Sequence, residues 1–168
     1  MKRLYYILFA LFLGVSSVSA QSVFWGKTFE YGDVSNPAGV FTYIVDNNGN
    51  AILRQRVESA ECQMKGKDLS TKKMLIFKGD ENTFELTRIF SKGEAMAYKD
   101  FLELAKRAGA DRQARAMFDQ TKAALVPILS NMVWQITYVT EDEVWTLGSS
   151  ENKSDSYPCK QTKWKLVK

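Results

Sequence analysis

The chain has 168 residues, with 23 basic and 19 acidic side chains and no histidine. Its hydrophobic content of 45% and aromatic content of 12% are sufficient for a folded core, which excludes a globally disordered chain. The lack of histidine removes the most common general base and metal ligand from any site that this sequence could build.

The N-terminal stretch has the pattern of a secretory signal peptide. Lys2 and Arg3 precede an apolar run at 4–15, and small residues lead to Ala20. The run is shorter than the roughly 20 apolar residues that a membrane-spanning helix needs. The residue directly after the predicted cleavage point is Gln21, not the cysteine that would carry a lipid. We therefore expect residues 1–20 to be removed, and the mature protein to be soluble, without a stable membrane anchor, and periplasmic or secreted.

The remaining residues, 21–168, are expected to form a single exported domain. The signal peptide takes two of the basic residues with it, which leaves 21 basic against 19 acidic side chains and a net charge of +2. This excess is too small to indicate a nucleic-acid partner.

The first half of the mature chain has the alternation typical of strands. A strand is predicted at 23–31, and two further runs at 40–45 and 51–57 flank Asn48-Gly49, a pair that favours a tight hairpin. A second hairpin is predicted between 74–78 and 83–90.

The hydrophobic period then changes to that of helices. Ser91 and Glu94 have the spacing of a capping box, Gly109 ends a first helix, and Asp111 begins a second one whose length Pro127 limits. The apolar stripes comprise Tyr98, Phe101, Leu102 and Ala105 in the first helix, and Ala114, Met117, Phe118, Thr121 and Leu125 in the second.

Strand patterns return at 132–140, 143–148 and 160–167. The predicted fold class is α+β, with an antiparallel sheet of about six to eight strands. We expect the sheet to curve strongly or to close like a barrel, with two helices inserted between its fifth and sixth strands.

Cys62 and Cys159 are the only cysteines of the sequence. An even number of cysteines in an exported protein predicts a disulfide bond, which here would close a long loop. Two free thiols or a catalytic thiol are the alternatives, and the lack of histidine disfavours a catalytic thiol.

Aromatic side chains could line an apolar pocket on the inner face of such a sheet. Tryptophans are usually core residues, but small barrels also use such positions to hold one ligand. The predicted pocket residues are Trp25, Trp134, Tyr138, Trp145 and Trp164.

Other patterns only partly match functional motifs. Asp46 begins a sequence that resembles a calcium loop, but the position of the bidentate glutamate holds Val57. Ser70 and Lys73 form a Ser-x-x-Lys sequence, which is the spacing of nucleophile and base in the penicillin-binding enzymes, but they lie between predicted strands. Paired carboxylates could still support hydrolysis, and the candidates are Glu30, Asp33, Glu85, Glu141, Asp142 and Glu143.

The sequence therefore predicts no catalytic residues, no metal site and no cofactor. The leading hypothesis is a non-catalytic protein-interaction module, such as an inhibitor, an immunity or adaptor protein, or a subunit of an envelope assembly. The alternative is a carrier of a small apolar ligand, and a carboxylate-based hydrolase is the least favoured hypothesis. Another envelope or extracellular protein is the expected partner.

Overall fold

The computed structural model describes residues 22–32, 39–57, 60–89, 95–148 and 161–167. Within these residues the chain forms ten strands, two α-helices and a short 3-10 helix. The strands are β1 (Lys27–Gly32), β2 (Val40–Val45), β3 (Asn50–Val57), β4 (Ala60–Asp68), β5 (Met74–Gly79), β6 (Glu85–Ile89), β7 (Ala95–Ala97), β8 (Asn131–Val139), β9 (Glu143–Gly148) and β10 (Gln161–Leu166). The helices are α1 (Tyr98–Arg107), α2 (Asp111–Ser130) and the 3-10 helix Glu81–Thr83.

Eight of the strands close into an antiparallel barrel. Its order is β1-β2-β3-β4-β5-β8-β9-β10, and β10 pairs back with β1, where Phe29 lies opposite Leu166. Apart from the step from β5 to β8, each strand of the ring pairs with the strand that follows it in the chain, as in an up-and-down barrel. The remaining elements form an insertion between β5 and β8, which comprises the 3-10 helix, β6, β7, α1 and α2.

The insertion leaves the barrel where β4 changes partner. β4 pairs with β5 near Gly66, and farther toward its start it pairs with β6. Gly66 lies opposite Gly79, and a Cβ atom at Gly66 would overlap the carbonyl oxygen of Lys78 and the Cα of Gly79. The lack of side chains lets the two backbones approach closely before the chain turns into the 3-10 helix.

The interior of the barrel is largely filled by aromatic side chains. Tyr43 and Phe29 lie opposite each other on β2 and β1, and Trp164 projects from β10 into the same space. All three are almost fully buried. The Trp164 indole donates a hydrogen bond to the buried Thr146 hydroxyl at 3.1 Å, so its polar atom has a partner in the core.

One end of the barrel is sealed by the turn that precedes β1, and we call it the closed end. Phe24 is fully buried there and makes edge-on ring contacts with Phe29 and Tyr43. The Trp25 indole donates to the Asp68 carboxylate at 2.9 Å, which joins this turn to the end of β4. The opposite end, where β2 begins and β3 ends, is the open end.

Near the open end the insertion packs against the barrel through α2. Val126 and Leu129 of this helix belong to the hydrophobic core. Tyr98 of α1 stacks on Phe118 of α2 and donates a hydrogen bond to the carbonyl oxygen of Ala114, so the two helices pack as a pair.

The structure confirms an α+β fold with a barrel-like antiparallel sheet. It adds a strand at Ala60–Asp68 that the sequence analysis did not predict, and β1 begins at Lys27 rather than at residue 23 because the preceding residues turn across the closed end. The predicted strand at 83–90 begins only at Glu85, since Glu81–Thr83 forms a 3-10 helix before β6.

The helical insertion also differs from its prediction. In chain order the helices follow the seventh strand rather than the fifth, because β4 and β7 were not predicted. Helix α2 continues past Pro127 to Ser130. The predicted capping box at Ser91 and Glu94 and the predicted signal peptide lie outside the described residues. Among the helices that the structure describes, none combines the length and apolar composition needed to cross a bilayer.

Candidate ligand pocket

The open end of the barrel contains a cavity of about 340 Å³ between the strands and the end of α2. The described residues enclose it only in part. The described residues that line it are Phe41, Leu53, Pro127, Ile128, Leu129, Asn131, Met132, Val133 and Trp134.

Strand alternation explains how the barrel supplies this lining. Phe41 of β2 lies on the same face as the buried Tyr43, and Leu53 lies directly opposite Tyr43 on β3. On β8, Trp134 lies opposite the buried Leu75 and therefore also faces inward. The inner wall of the pocket therefore belongs to the barrel interior, whereas its outer wall is formed by exposed residues at the mouth, Ile128 and Asn131.

Helix α2 supplies the remaining wall through its last turn. Leu129 is fully buried and anchors the helix end in the core, whereas Ile128 is 63% exposed and lies at the rim. The chain passes directly from Ser130 into β8, so the position of the helix end is coupled to that of Met132.

The floor of the pocket is closed by buried side chains. Leu53 and Leu129 contribute to the lining, and both are almost completely inaccessible to solvent. Toward the closed end the interior is occupied by Tyr43 and Trp164, whose rings lie 6.3 Å apart. The pocket therefore does not continue as a channel along the barrel axis.

Four aromatic rings are joined beside the pocket. Tyr31 stacks on Phe41 with ring centroids 5.0 Å apart and an angle of 8° between the planes. Tyr31 also meets Trp134 edge-on at 5.8 Å and 65°, and Trp134 lies 5.7 Å from Trp164. Since Phe41 is nearly parallel to Tyr31, the planes of Phe41 and Trp134 are steeply inclined to each other.

The described lining contains no ionisable side chain. Asn131 is the residue there whose side chain can both donate and accept hydrogen bonds. Behind the pocket wall, burial raises the pKa of the Tyr31 hydroxyl, so this phenol adds no charge near the pocket either. The pocket can accept apolar surface but offers no charge to neutralise an ion.

Of the predicted pocket residues, Trp134 and Trp164 are brought into contact, and Trp134 lines the cavity. Trp25 lies at the closed end beside Asp68. Trp145 lies 4.9 Å from the Lys163 ammonium, and its indole donates to Glu143.

The fifth predicted pocket residue, Tyr138, is 58% exposed and does not belong to the described lining.

Four residues of the lining were not predicted from the sequence: Phe41, Leu53, Leu129 and Met132. Phe41 could have been found because it alternates with Tyr43 in β2. The position of Leu129 beside the barrel strands, in contrast, depends on tertiary packing.

Cys62 is a buried free thiol in this structure. Its Sγ lies 3.7 Å from the carbonyl oxygen of Gln55, and burial raises the pKa of the thiol to about 11. Such a group is a poor nucleophile because the thiolate is scarce at neutral pH. Cys159 lies outside the described residues, so the bond between the two cysteines stays a prediction.

The calcium-like sequence forms a hairpin turn. The Asp46 carboxylate accepts hydrogen bonds from the backbone N–H groups of Asn48 at 2.7 Å and Asn50 at 2.9 Å. The side chain of Asn50 also donates to Asp46 and holds the pKa of that carboxyl below its ordinary value. These bonds are typical of an Asx turn.

The Ser-x-x-Lys sequence lies in the connection between β4 and β5. The Ser70 hydroxyl donates to Asp68 and accepts from the backbone N–H of Ile76 at 2.9 Å. Ser70 does not begin a helix here, so the geometry of the penicillin-binding enzymes is not reproduced.

The carboxylates that were considered for hydrolysis have structural partners where the structure describes such contacts. Glu30 accepts from the Thr42 hydroxyl, Glu85 accepts from Gln63, and Glu143 is ion-paired with Lys163 at 3.1 Å. Asp33 lies outside the described residues. Within the described part of the chain, acidic and cysteine side chains form no group of three that could hold a metal ion.

No protein-family model matches this sequence, and no curated protein or solved structure matches the chain.

Proposed function

We propose that this protein is a non-catalytic binding protein that holds one small apolar ligand in the pocket at the open end of its barrel. The observation that carries the proposal is an inward-facing cavity of about 340 Å³ in a closed barrel. Ligand pockets typically have volumes of about 300–1,000 Å³ and are lined mainly by apolar side chains. This pocket falls at the small end of that range.

Burial of a ligand here is favoured by the chemistry of the wall. Phe41, Ile128 and Trp134 line the pocket and keep accessible apolar surface, and each Å² of apolar surface that a ligand buries is worth about 25 cal/mol. The filled interior beneath the pocket gives the wall fixed support, which limits the entropy lost when a ligand binds.

The predicted export signal adds the expected compartment to this proposal. A protein that leaves the cytoplasm would meet its ligand in the periplasm or outside the cell. The protein-interaction function that the sequence favoured stays a prediction, and its expected partner is another envelope or extracellular protein.

The proposal is tested by titrating the purified protein with the neutral fluorescent probe N-phenyl-1-naphthylamine. We expect saturable binding that Phe41→Lys weakens by about tenfold or more, because the substitution brings an ammonium group into an uncharged pocket. The matched control is Leu104→Lys, which adds the same charge on α1, where the native side chain is 47% exposed.

Circular dichroism and urea unfolding of both variants show whether each remains folded. If the binding of the probe to the native protein does not saturate, the proposal is refuted. Equal affinity in the native protein and a folded Phe41→Lys variant would place the probe elsewhere and would also refute it.

A further inference from the structure

We infer that the ligand of this pocket is a compact, uncharged aromatic molecule rather than a long alkyl chain or an anion. The inference rests on the proposed function and adds the chemical class of the ligand. It is carried by the closed floor, the uncharged lining and the inclined rings of Phe41 and Trp134.

The closed floor limits the length of the ligand. Leu53 and Leu129 bound the pocket from within, and Trp164 and Tyr43 fill the interior toward the closed end. An extended alkyl chain would have to displace these packed side chains to enter along the barrel axis. Since the pocket that the described residues form is short and only partly enclosed by them, much of a long chain would lie outside this wall and gain little from contact with it.

The uncharged lining disfavours ions. An ionised carboxylate that enters the pocket loses hydration and meets no lysine or arginine among the described lining residues. Asn131 is exposed at the mouth and can serve one neutral polar group, such as a hydroxyl. A neutral ligand with a single polar atom near the rim therefore fits this chemistry.

The two inclined rings favour an aromatic ligand. A flat ring that stacks on Phe41 would lie steeply inclined to the plane of Trp134, because Phe41 is nearly parallel to Tyr31 and Tyr31 is inclined to Trp134 by 65°. Offset-stacked and edge-to-face arrangements are the two preferred geometries of aromatic pairs. They add about 0.5–1.5 kcal/mol to the free energy of burial, which corresponds to between about twofold and tenfold in affinity.

The test compares three neutral alcohols with the same number of carbon atoms: 2-naphthol, its saturated analogue decahydro-2-naphthol, and 1-decanol. Each is titrated calorimetrically into the purified protein, and 2-naphthoate is added to the series as the anionic analogue. We expect 2-naphthol to bind between about twofold and tenfold more tightly than decahydro-2-naphthol. We expect 1-decanol and 2-naphthoate to bind more weakly than 2-naphthol.

Two variants connect the preference to the pocket. Phe41→Leu and Trp134→Leu keep an apolar wall but each removes one ring, so each should reduce the preference for 2-naphthol over decahydro-2-naphthol. Phe101→Leu is the matched control, because Phe101 packs against Tyr98 in the helical insertion and does not belong to the described lining. Two variants are used so that the test survives if one does not fold.

The outcomes separate this inference from the proposed function. Equal or tighter binding of decahydro-2-naphthol, 1-decanol or 2-naphthoate would overturn the inference and leave a general apolar carrier. An aromatic preference that is undiminished in the folded pocket variants, or in the single one that folds, would also overturn it. If no compound binds and the fluorescent probe also fails, the proposed function itself is refuted.

Discussion

The buried Asp68 carboxylate offers a quantitative test of how the closed end of the barrel is held together. Asp68 is 5% exposed and accepts hydrogen bonds from three side chains. The donors are the Tyr43 hydroxyl at 2.8 Å, the Trp25 indole at 2.9 Å and the Ser70 hydroxyl. Asp68→Ala removes all three bonds together, and we expect it to lower the free energy of unfolding by about 2–4 kcal/mol.

The magnitude depends mainly on Tyr43. Trp25 and Ser70 are partly exposed, so water can replace the carboxylate at their polar atoms. Tyr43 is fully buried, and a buried donor left without a partner costs about 1–3 kcal/mol. Tyr43→Phe removes that donor, and alone it should cost about 1–2 kcal/mol because Asp68 keeps its other two partners.

A double-mutant cycle isolates this interaction. The double variant has no Tyr43 hydroxyl that could be left buried without an acceptor. Its loss of stability should therefore be smaller than the sum of the two single losses by about 1–3 kcal/mol. Urea unfolding followed by circular dichroism measures all four proteins. Tyr138→Phe, at a tyrosine that is 58% exposed, is the control and should change stability by less than about 0.5 kcal/mol. Additive losses in Asp68→Ala and Tyr43→Phe would refute the reasoning.

Three further predictions concern the fold. Gly66→Ala should lower the free energy of unfolding by about 2–3 kcal/mol, because the new Cβ overlaps the facing backbone. Gly109→Ala should lower it by only about 1 kcal/mol, because Gly109 has a φ of +71° but open space around it. Urea unfolding measures both losses. Burial raises the pKa of Tyr43, so the native state retains a proton that the unfolded state loses near pH 10. The contribution of Tyr43 to the free energy of unfolding should therefore be constant below about pH 10 and fall above it, so urea unfolding between pH 10 and 11 should show a smaller loss of stability in Tyr43→Phe than in the native protein. In the reduced, folded protein Cys62 should react slowly with iodoacetamide at pH 8, because burial raises its pKa to about 11. The predicted disulfide is tested separately by labelling the unreduced, denatured protein, which should contain no free thiol. Two labelled thiols, Cys62 and Cys159, would contradict the disulfide prediction.

Local patterns in the sequence predicted the elements whose stability depends on neighbouring residues. The hairpin around Gly49 was identified correctly because its alternation and turn residues are contained in one short segment. The helices were identified because an apolar stripe indicates which face is buried before the partner is known.

The strand β4 was missed because its inward-facing positions do not look like a core. Cys62 and Met64 alternate with polar residues, but the same face continues with Gly66 and Asp68. A buried carboxylate is compatible with a strand only if donors are present, and Tyr43 and Trp25 are distant in sequence. The single-sequence pattern could not supply that information.

The sequence by itself determined the antiparallel α+β character and the inward position of Trp164, because alternation and aromatic content act locally. Only the tertiary structure decided that the sheet closes, since closure depends on the pairing of Phe29 with Leu166 from opposite ends of the described chain. The pocket has the same origin: Phe41, Leu129 and Trp134 come from three separate elements, and the space between them exists only because the ring of strands is filled at one end and left partly open at the other.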